Sequence, residues 1–268
     1  MVIRRLLLLI VACAVLGYVS PTVAAPNATT CSLNTLKGTW AGAGVPKLPN
    51  GLPYGFAWIY MEYWDGNGNA TYMEFDSHGN SNSGWYSGPG KYTVSTDCFV
   101  TDTANGAPTF LNPDGSGQVW VNLYPNSGRV IGSNYTTISN FSLPSSAAAC
   151  SVKTLSGTYA TSTLAFNAGI AVGYFSRRSF SANGTYTYID VIENGTTVSP
   201  TMRSGTYTVA RDCTAFFYDN GSKTPTFAAI LAPNGLQYWW LNITNDGTFA
   251  ADHATRISPS LVSNASYP

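Results

Sequence analysis

The feature that most constrains this chain is an internal repeat. The segment Cys31–Trp40 returns as Cys150–Tyr159, 119 residues later. A second segment, Gly90–Cys98, returns as Gly205–Cys213 after 115 residues. Shorter matches keep the same order along both copies: Pro108–Phe110 with Pro225–Phe227, Asn126–Gly128 with Asn245–Gly247, and Ile138–Ser139 with Ile257–Ser258. Each copy is long enough to be a domain, so the repeat predicts two similar domains in tandem.

The repeat also sets the expected domain boundaries. We predict a first domain over residues 31–140 and a second over residues 150–260. Residues 141–149 lie between the two copies and contain a Pro-Ser-Ser stretch and three alanines. This composition is typical of a linker, so we expect few contacts there.

The first 25 residues resemble a secretion signal. Two arginines precede an apolar run over residues 6–19, and Val23 and Ala25 supply the small side chains that signal peptidase needs. We therefore predict a signal peptide over residues 1–25 and a secreted protein. The alternative is a lipoprotein signal with Cys13 as the lipidated N-terminus, which leaves a very short apolar core before the cleavage point.

The cysteines agree with export. Without Cys13 there remain Cys31, Cys98, Cys150 and Cys213, an even number that suits an oxidising compartment. No two of them form a C-x-x-C motif, so neither a zinc site nor a redox site is indicated. Each copy holds one early and one central cysteine, and the repeat therefore favours the pairs Cys31–Cys98 and Cys150–Cys213.

The pattern within each copy predicts an all-β fold. The chain contains 26 glycines and 15 prolines, and no helical periodicity follows the N-terminal segment. Residues 56–64 form an apolar strand, residues 65–69 a turn, and residues 70–75 a returning strand, which together indicate a β-hairpin. Short strands about ten residues apart, about eight to a copy, suit a barrel or a sandwich. Because closure removes exposed edges, we predict two antiparallel β-barrels of about eight strands each.

Two short motifs resemble known barrel families. A cysteine followed by Gly-x-Trp at the start of the first strand, as in Cys31–Trp40, resembles the opening of calycin barrels, the lipocalin and avidin group. The central Gly-x-Tyr-Thr-Val followed by Asp-Cys, as in Gly90–Cys98, resembles small secreted proteins with allene-oxide-cyclase-like or dirigent-like barrels. The resemblance implies a calycin-like barrel around a small apolar molecule, and it identifies no catalytic residue.

Composition and missing motifs exclude several functions. Only 10% of the residues are charged, against about 25% in an average soluble domain, so we expect no nucleic-acid partner. No apolar run after the signal reaches the eighteen or so residues of a membrane helix, so we expect no membrane partner. His78 and His253 are the two histidines, and neither has a metal-ligand neighbour at a familiar spacing. With no nucleophile elbow or phosphate loop either, we predict no metal and no cofactor.

Candidate catalytic groups are acidic side chains on the first hairpin. Glu62 lies within the aromatic strand over residues 56–64, and Glu74 shares a strand face with Asp76. We predict Glu62 and Glu74 as acid and base groups, while the alternative is that these carboxylates face water. Under a shift of 116 residues Glu62 aligns with Arg178, which indicates that the two copies differ chemically and that only one is active.

Aromatic residues dominate the candidate ligand-binding set. Tyrosine is abundant, with 17 residues, and its ring can form an apolar wall while its hydroxyl orients a ligand. An ordinary barrel core explains the same pattern. The predicted ligand-binding residues are Phe56, Trp58, Tyr60, Trp64, Tyr72, Trp120, Arg178 and Trp239.

These features predict a secreted barrel protein that encloses a small hydrophobic molecule and steers its cyclisation or isomerisation without a cofactor. Such an enzyme depends on the shape of its cavity, on the exclusion of water and on one or two polar groups. The alternative is a non-catalytic secreted glycoprotein for ligand carriage or surface interaction. The predicted N-glycosylation positions are Asn27, Asn69, Asn134, Asn140, Asn183, Asn194, Asn220, Asn242 and Asn264.

Overall fold

The structure is a computed structural model that describes residues 30–45, 55–102, 109–115, 117–124, 129–138, 150–167, 170–194 and 197–257. For residues 102, 117–124, 129–138, 194 and 197–199 it describes the backbone alone. The predicted signal peptide and linker lie outside the described residues, as do Asn27, Asn140 and Asn264. Trp120, Asn134 and Asn194 lie on strands whose side chains there are not described.

Eight antiparallel strands form a closed barrel in the first repeat. Each strand pairs with the next, and β1 also pairs with β8, which completes the ring. The strands are β1 Gly38–Gly44, β2 Ala57–Trp64, β3 Asn69–Ser77, β4 Tyr86–Val94, β5 Phe99–Asp102, β6 Thr109–Leu111, β7 Gly117–Tyr124 and β8 Arg129–Ile138. Among the described residues the one helical element is a 3-10 turn at Leu33–Leu36, so the predicted all-β class and the first barrel are confirmed.

The second repeat forms a nine-stranded antiparallel sheet that curls round on itself. Its first strand, β9, pairs with β10 on one side and with β17 on the other, and the short β16 also pairs with β9. The strands are β9 Gly157–Asn167, β10 Ile170–Phe180, β11 Thr185–Asn194, β12 Thr197–Val209, β13 Thr214–Asp219, β14 Phe227–Leu231, β15 Gln237–Asn242, β16 Thr248–Phe249 and β17 Ala251–Arg256.

The predicted hairpin joins β2 to β3. The two strands pair over their full length, from Trp64 opposite Ala70 at the turn. Asp65 closes that turn, since its Oδ1 accepts hydrogen bonds from the backbone N–H groups of Asn67 (2.7 Å) and Asn69 (3.0 Å). The side-chain amide of Asn69 also donates to Asp65 Oδ2 at 2.6 Å, and this bond, followed by the backbone bonds, lowers the pKa of Asp65.

One disulfide closes each repeat at equivalent places. Cys31 bonds to Cys98 and Cys150 to Cys213, with a Cα–Cα distance of 4.9 Å in both, so the predicted pairing is confirmed. Cys98 and Cys213 also share a backbone conformation that non-glycine residues rarely adopt, with φ of 68° and 70°. The repeat in the sequence is therefore a repeat in backbone structure.

Apart from Glu62, strand β2 is apolar, because both of its faces are buried. Trp58 and Tyr60 point into the first barrel, where they join the cluster around Trp40. The alternate residues Ile59 and Met61 belong to a separate cluster that is built mainly from the second repeat. The outer face of β2 therefore packs against the other repeat instead of facing water.

Both repeats contribute residues to the cluster that contains Ile59 and Met61. Ile59 of β2 and Phe75 of β3 pack in it together with Ile230 of β14 and Trp239 of β15. The rings of Phe75 and Phe216 lie 6.2 Å apart across the junction. Burying a large apolar side chain contributes about 1.5–3 kcal/mol, so a few such residues hold the repeats together.

We predict that Gly205→Ala destabilises the second repeat by about 1–3 kcal/mol. Tyr186 lies directly over Gly205 on the neighbouring strand, and a Cβ there would come within 2.8 Å of that ring and collide with the carbonyl oxygen of Tyr218. Urea unfolding followed by tryptophan fluorescence measures the change. Gly173→Ala is the control, because its nearest neighbour would lie 3.6 Å away. Equal stability of the two variants would contradict this packing.

Candidate functional site

A cavity of about 350 Å³ opens among the strands of the second repeat. Its size falls within the range of small-molecule sites. Four aromatic side chains form much of its wall: Tyr174, Tyr188, Phe227 and Trp240. Polar side chains stand between them: Asp190, Arg203, Asp219 and Asn242. The cavity therefore combines aromatic walls with several polar and charged side chains.

Strand alternation places these residues. On β11, Tyr188, Asp190 and Ile192 are two residues apart and all line the cavity. Val172 and Tyr174 do the same on β10, and continuing this face along β10 leads to Arg178. The cavity wall is thus built from rigid strands, which hold its side chains more firmly than a loop would.

Arg178 is a fully buried cation behind this aromatic wall. Its exposed fraction is 0%. The guanidinium carbon lies 4.4 Å from the ring centre of Phe227, 4.9 Å from that of Trp240 and 5.5 Å from that of Tyr188. Cation–π attraction is strongest where water is excluded, so these rings replace part of the lost hydration.

Polar groups complete the surroundings of Arg178. Its Nε donates to Ser176 Oγ at 3.3 Å and its Nη2 to Tyr174 Oη at 3.5 Å. Burial acts to lower the pKa of Arg178, but electrostatic interactions with Tyr238, Tyr174 and Asp190 outweigh it and raise this pKa above its ordinary value. Arg178 is therefore a permanent cation. Its Nη1 has no hydrogen-bond partner among the described residues.

Asp190 faces the cavity from the neighbouring strand. Its exposed fraction is 6%, and no described group donates a hydrogen bond to its Oδ1. Asp190 lines the cavity, so its unmatched acceptor is within reach of a molecule placed there, whereas Arg178 lies behind the wall. A buried acceptor without a partner is costly, and a donor from such a molecule would stabilise Asp190.

Asp219 fixes the tyrosines at one side of the cavity. Tyr188 Oη donates to Asp219 Oδ2 at 2.5 Å, and Tyr186 Oη donates to Asp219 Oδ1. The rings of Tyr186 and Tyr188 stack with their centres 5.6 Å apart. Burial is the main cause that raises the pKa of both tyrosines, and the hydrogen bonds to Asp219 raise it further. Both tyrosines therefore act as hydrogen-bond donors.

The predicted residue Glu62 lies on the inner face of the first barrel. Its exposed fraction is 2%, and the inward-facing residues on either side of it along β2 are Tyr60 and Trp64. Arg178 takes the equivalent position in the second repeat, since Glu62 pairs with Trp40 and Arg178 pairs with Tyr159. The two repeats thus carry opposite charges at one structural position.

Glu74 and Asp76 share the inner face of β3 with Tyr72, as their spacing implies. Tyr86 Oη donates to Asp76 Oδ2 at 2.9 Å. Burial, followed by the negative charge of Asp76, raises the pKa of Glu74 to about 8, and burial also raises the pKa of Asp76. The two carboxyl groups therefore retain a shared proton near neutral pH.

The other predicted ligand-binding residues divide between the two repeats. Trp58, Tyr60, Trp64 and Tyr72 gather inside the first barrel, where the rings of Tyr60 and Tyr72 stack 6.3 Å apart. Phe56 lies beside them, with its ring 6.1 Å from that of His78. Of the predicted set, Arg178 lies nearest the cavity of the second repeat, behind its aromatic wall.

Trp239 does not line the cavity. Trp239 pairs with Ile230 on one face of the sheet, while its neighbour Trp240 lines the wall, because successive strand residues face opposite ways. The predicted set also left out Tyr174, Tyr188 and Asp190. The shift of 116 residues matches Asp190 to Glu74, and applying the same shift to Trp58 and Tyr72 would have added the two tyrosines.

The described glycosylation triplets lie in two kinds of place. Asn183 and Asn220 are exposed in turns, and Asn69 is exposed at the first residue of β3, so a glycan has room at all three. Asn242 is 6% exposed, and its amide donates to the carbonyl of Thr248 at 3.2 Å. This position leaves no room for a glycan, so Asn242 contributes to the cavity wall instead.

The fold and the site together define an all-β protein with a closed eight-stranded barrel and a ligand-sized cavity. No protein-family model matches the chain, and no curated protein sequence matches it. One similar structure is a protein of unknown function from the DUF3598 family of Nostoc punctiforme, with 10% identity, 85% coverage of this chain, 99% coverage of that chain and a TM-score of 0.25. At this TM-score the likeness carries no argument.

The described residues contain no group of three or more histidine, cysteine or acidic side chains that could hold a metal ion. They also contain no helix that is long and apolar enough to cross a membrane.

We predict that Glu74→Gln removes a pH dependence of stability. The folded carboxyl has its pKa raised from 4.5 to about 8, so between these values the folded state binds more protons than the unfolded state, and the free energy of unfolding falls as pH rises. Glu74→Gln should therefore gain about 1 kcal/mol over wild type at pH 8 and little at pH 5, an effect reduced by partial solvent screening.

Urea unfolding across this pH range checks the result. Glu193→Gln, at an exposed position of the second repeat, is the matched control and should follow wild type. Parallel pH profiles for Glu74→Gln and wild type would show that the carboxyl pair does not hold a proton in the folded state.

Proposed function

We propose that the chain is a tandem pair of calycin-like barrels whose second repeat encloses a small molecule with an apolar body and a hydroxyl group. The observation that carries this proposal is the cavity of about 350 Å³, with its aromatic wall and the unmatched Asp190 Oδ1. Binding is the function that such a site supports most directly.

Two observations support the tandem-barrel part of the proposal. Strand β9 pairs with both β10 and β17, as a strand in a closed ring would. The pairings Trp40–Glu62 and Tyr159–Arg178 also have the same register, so the two sheets begin in the same way. A closed second sheet would leave the cavity at one end of a barrel, where ligands enter many barrels.

The charges around the cavity favour a neutral, hydroxylated ligand. Asp190 Oδ1 lines the cavity and needs a donor, which a ligand hydroxyl group supplies. A carboxylate would be repelled by Asp190 and Asp219 on the wall, while Arg203 on the wall and Arg178 behind it act against a cation. Tyr174 and Trp240 provide apolar wall for the remainder of the molecule.

We predict that 2-naphthol binds the protein and that Ile192→Trp abolishes this binding. Ile192 lines the cavity, so a larger side chain there fills the space that the ligand needs. Isothermal titration calorimetry measures the affinity. Thr187→Trp is the matched control, since it lies on the same strand at an exposed position and should bind as wild type does.

A comparison of two ligands tests whether the hydroxyl group contributes to binding. Naphthalene, which lacks the hydroxyl, should bind at least about tenfold more weakly than 2-naphthol, because one good hydrogen bond to a charged group contributes about 1.5–3 kcal/mol. Asp190→Asn should reduce this preference while keeping the shape of the wall. Equal binding of 2-naphthol by wild type and Ile192→Trp would place the ligand elsewhere.

A second candidate function is cofactor-independent cyclisation or isomerisation in the first repeat. Glu74 and Asp76 together hold a proton near neutral pH, and Glu62 lies on the same inner face among aromatic rings. One carboxyl could give a proton to a double bond of a bound substrate while a carboxylate takes a proton from another carbon. The double bond then shifts with no net gain or loss of protons.

We predict that Glu62→Gln and Glu74→Gln each abolish such a conversion. The protein is incubated with an organic extract of the producing cells, and products are followed by mass spectrometry. Loss of conversion with unchanged melting supports a chemical role, because the glutamine keeps the shape and loses the acid. Unchanged conversion, or loss of folding alone, would leave carriage as the function.

Secretion and glycosylation belong to the same proposal. Two disulfides are compatible with an extracellular protein, and the N-terminal segment has the features of a signal peptide. Asn69, Asn183 and Asn220 are the described acceptor positions with room for a glycan. We propose export with cleavage after Ala25, and carriage of a hydroxylated apolar compound as the non-catalytic form of the function.

A further inference from the structure

The contact between the repeats uses a different face of each repeat. The first repeat contributes the outer face of β2 and β3, where Ile59 and Phe75 lie. The second contributes the outer face of β14 and β15, where Ile230 and Trp239 lie. Since the two repeats have the same strand plan, this is a head-to-tail contact between similar units, and such a contact leaves one unused face at each end.

The unused face of the second repeat is apolar and exposed. The register makes Phe175 on β10 the equivalent of Ile59 on β2, because Arg178 and Glu62 occupy matching positions. Ile59 is 0% exposed, whereas Phe175 is 55% exposed. Leu164 and Met202 are also exposed, at 42% and 75%. We name this surface the tail face and define it by Leu164, Phe175, Val191 and Met202.

The tail face is continuous across four strands. Phe175 on β10 pairs with Val191 on β11. Ile189, two residues before Val191, pairs with Met202 on β12. Leu164 pairs with Gly173 on the other side of β10. These residues therefore form one apolar patch, which is unusual on a monomer exposed to water.

The unused face of the first repeat is centred on Phe110. The backbone N–H of Leu111 donates to the carbonyl of Cys98, as that of Leu231 does to Cys213, so Phe110 is the equivalent of Ile230. Ile230 is 0% exposed within the contact between the repeats, whereas Phe110 is 57% exposed. We name this surface the head face and define it by Phe110 and its ring neighbour Phe99, whose centres lie 5.3 Å apart.

We propose that the tail face of one molecule binds the head face of a second copy of this chain. The two faces are the equivalents of surfaces that already pack together inside each molecule, which is why a second copy is the partner that fits. Arg177 takes the place of Met61 in the tail face, so the contact between copies is more polar than the one within the chain. Copies joined in this way form a ring or an open chain.

Sedimentation velocity over a range of concentrations tests the proposal. Wild type should form species larger than a monomer as concentration rises. Phe175→Asp on the tail face and Phe110→Asp on the head face should each weaken this association by about tenfold or more, as central apolar contacts do. Leu236→Asp is the control, because Leu236 is 53% exposed but belongs to neither face, and it should associate as wild type does.

Mixing the two variants provides the decisive measurement. Phe175→Asp retains an intact head face and Phe110→Asp an intact tail face, so the mixture should form one-to-one complexes that grow no further. A dimer built from two identical faces would not be restored in this way. A monomeric wild type at all concentrations, or a mixture without one-to-one complexes, would overturn the proposal.

Discussion

Burial of both faces of a strand is the constraint on which the rest of the structure depends. In β2, Trp58 and Tyr60 fill the first barrel while Ile59 and Met61 pack on the second repeat. A strand with two apolar faces cannot stay at the surface, because one face would then meet water. The two repeats therefore pack side by side through their outer sheets, and the interiors remain separate.

Separate interiors allow the two repeats to differ in chemistry. The inner position that holds Glu62 in the first repeat holds Arg178 in the second. A buried cation must be compensated, and aromatic rings with hydrogen-bonding groups provide this around Arg178. The first repeat instead holds a proton between Glu74 and Asp76. One strand plan thus supports two differently charged interiors.

The repeat in the sequence predicted the fold more securely than the site. The repeat predicted the disulfide pairs and the hairpin, because these depend on residues that recur at fixed spacing. One match was misleading, since the sequence aligns Phe110 with Phe227. The backbone makes Ile230 the equivalent of Phe110, and Phe227 points inward to contact Arg178. Short apolar motifs cannot fix register, because a slip of one residue exchanges the two faces of a strand.

The sequence by itself determined the β-class, the two copies, the cysteine pairs and the charge difference between Glu62 and Arg178. These are local or periodic properties, and they can be read along the chain. The tertiary structure decided that Trp240 and not Trp239 lines the cavity, and that Asp190 and Asp219 both line it. Curvature and closure bring strands together from distant parts of the chain, and the direction of each side chain follows from that pairing.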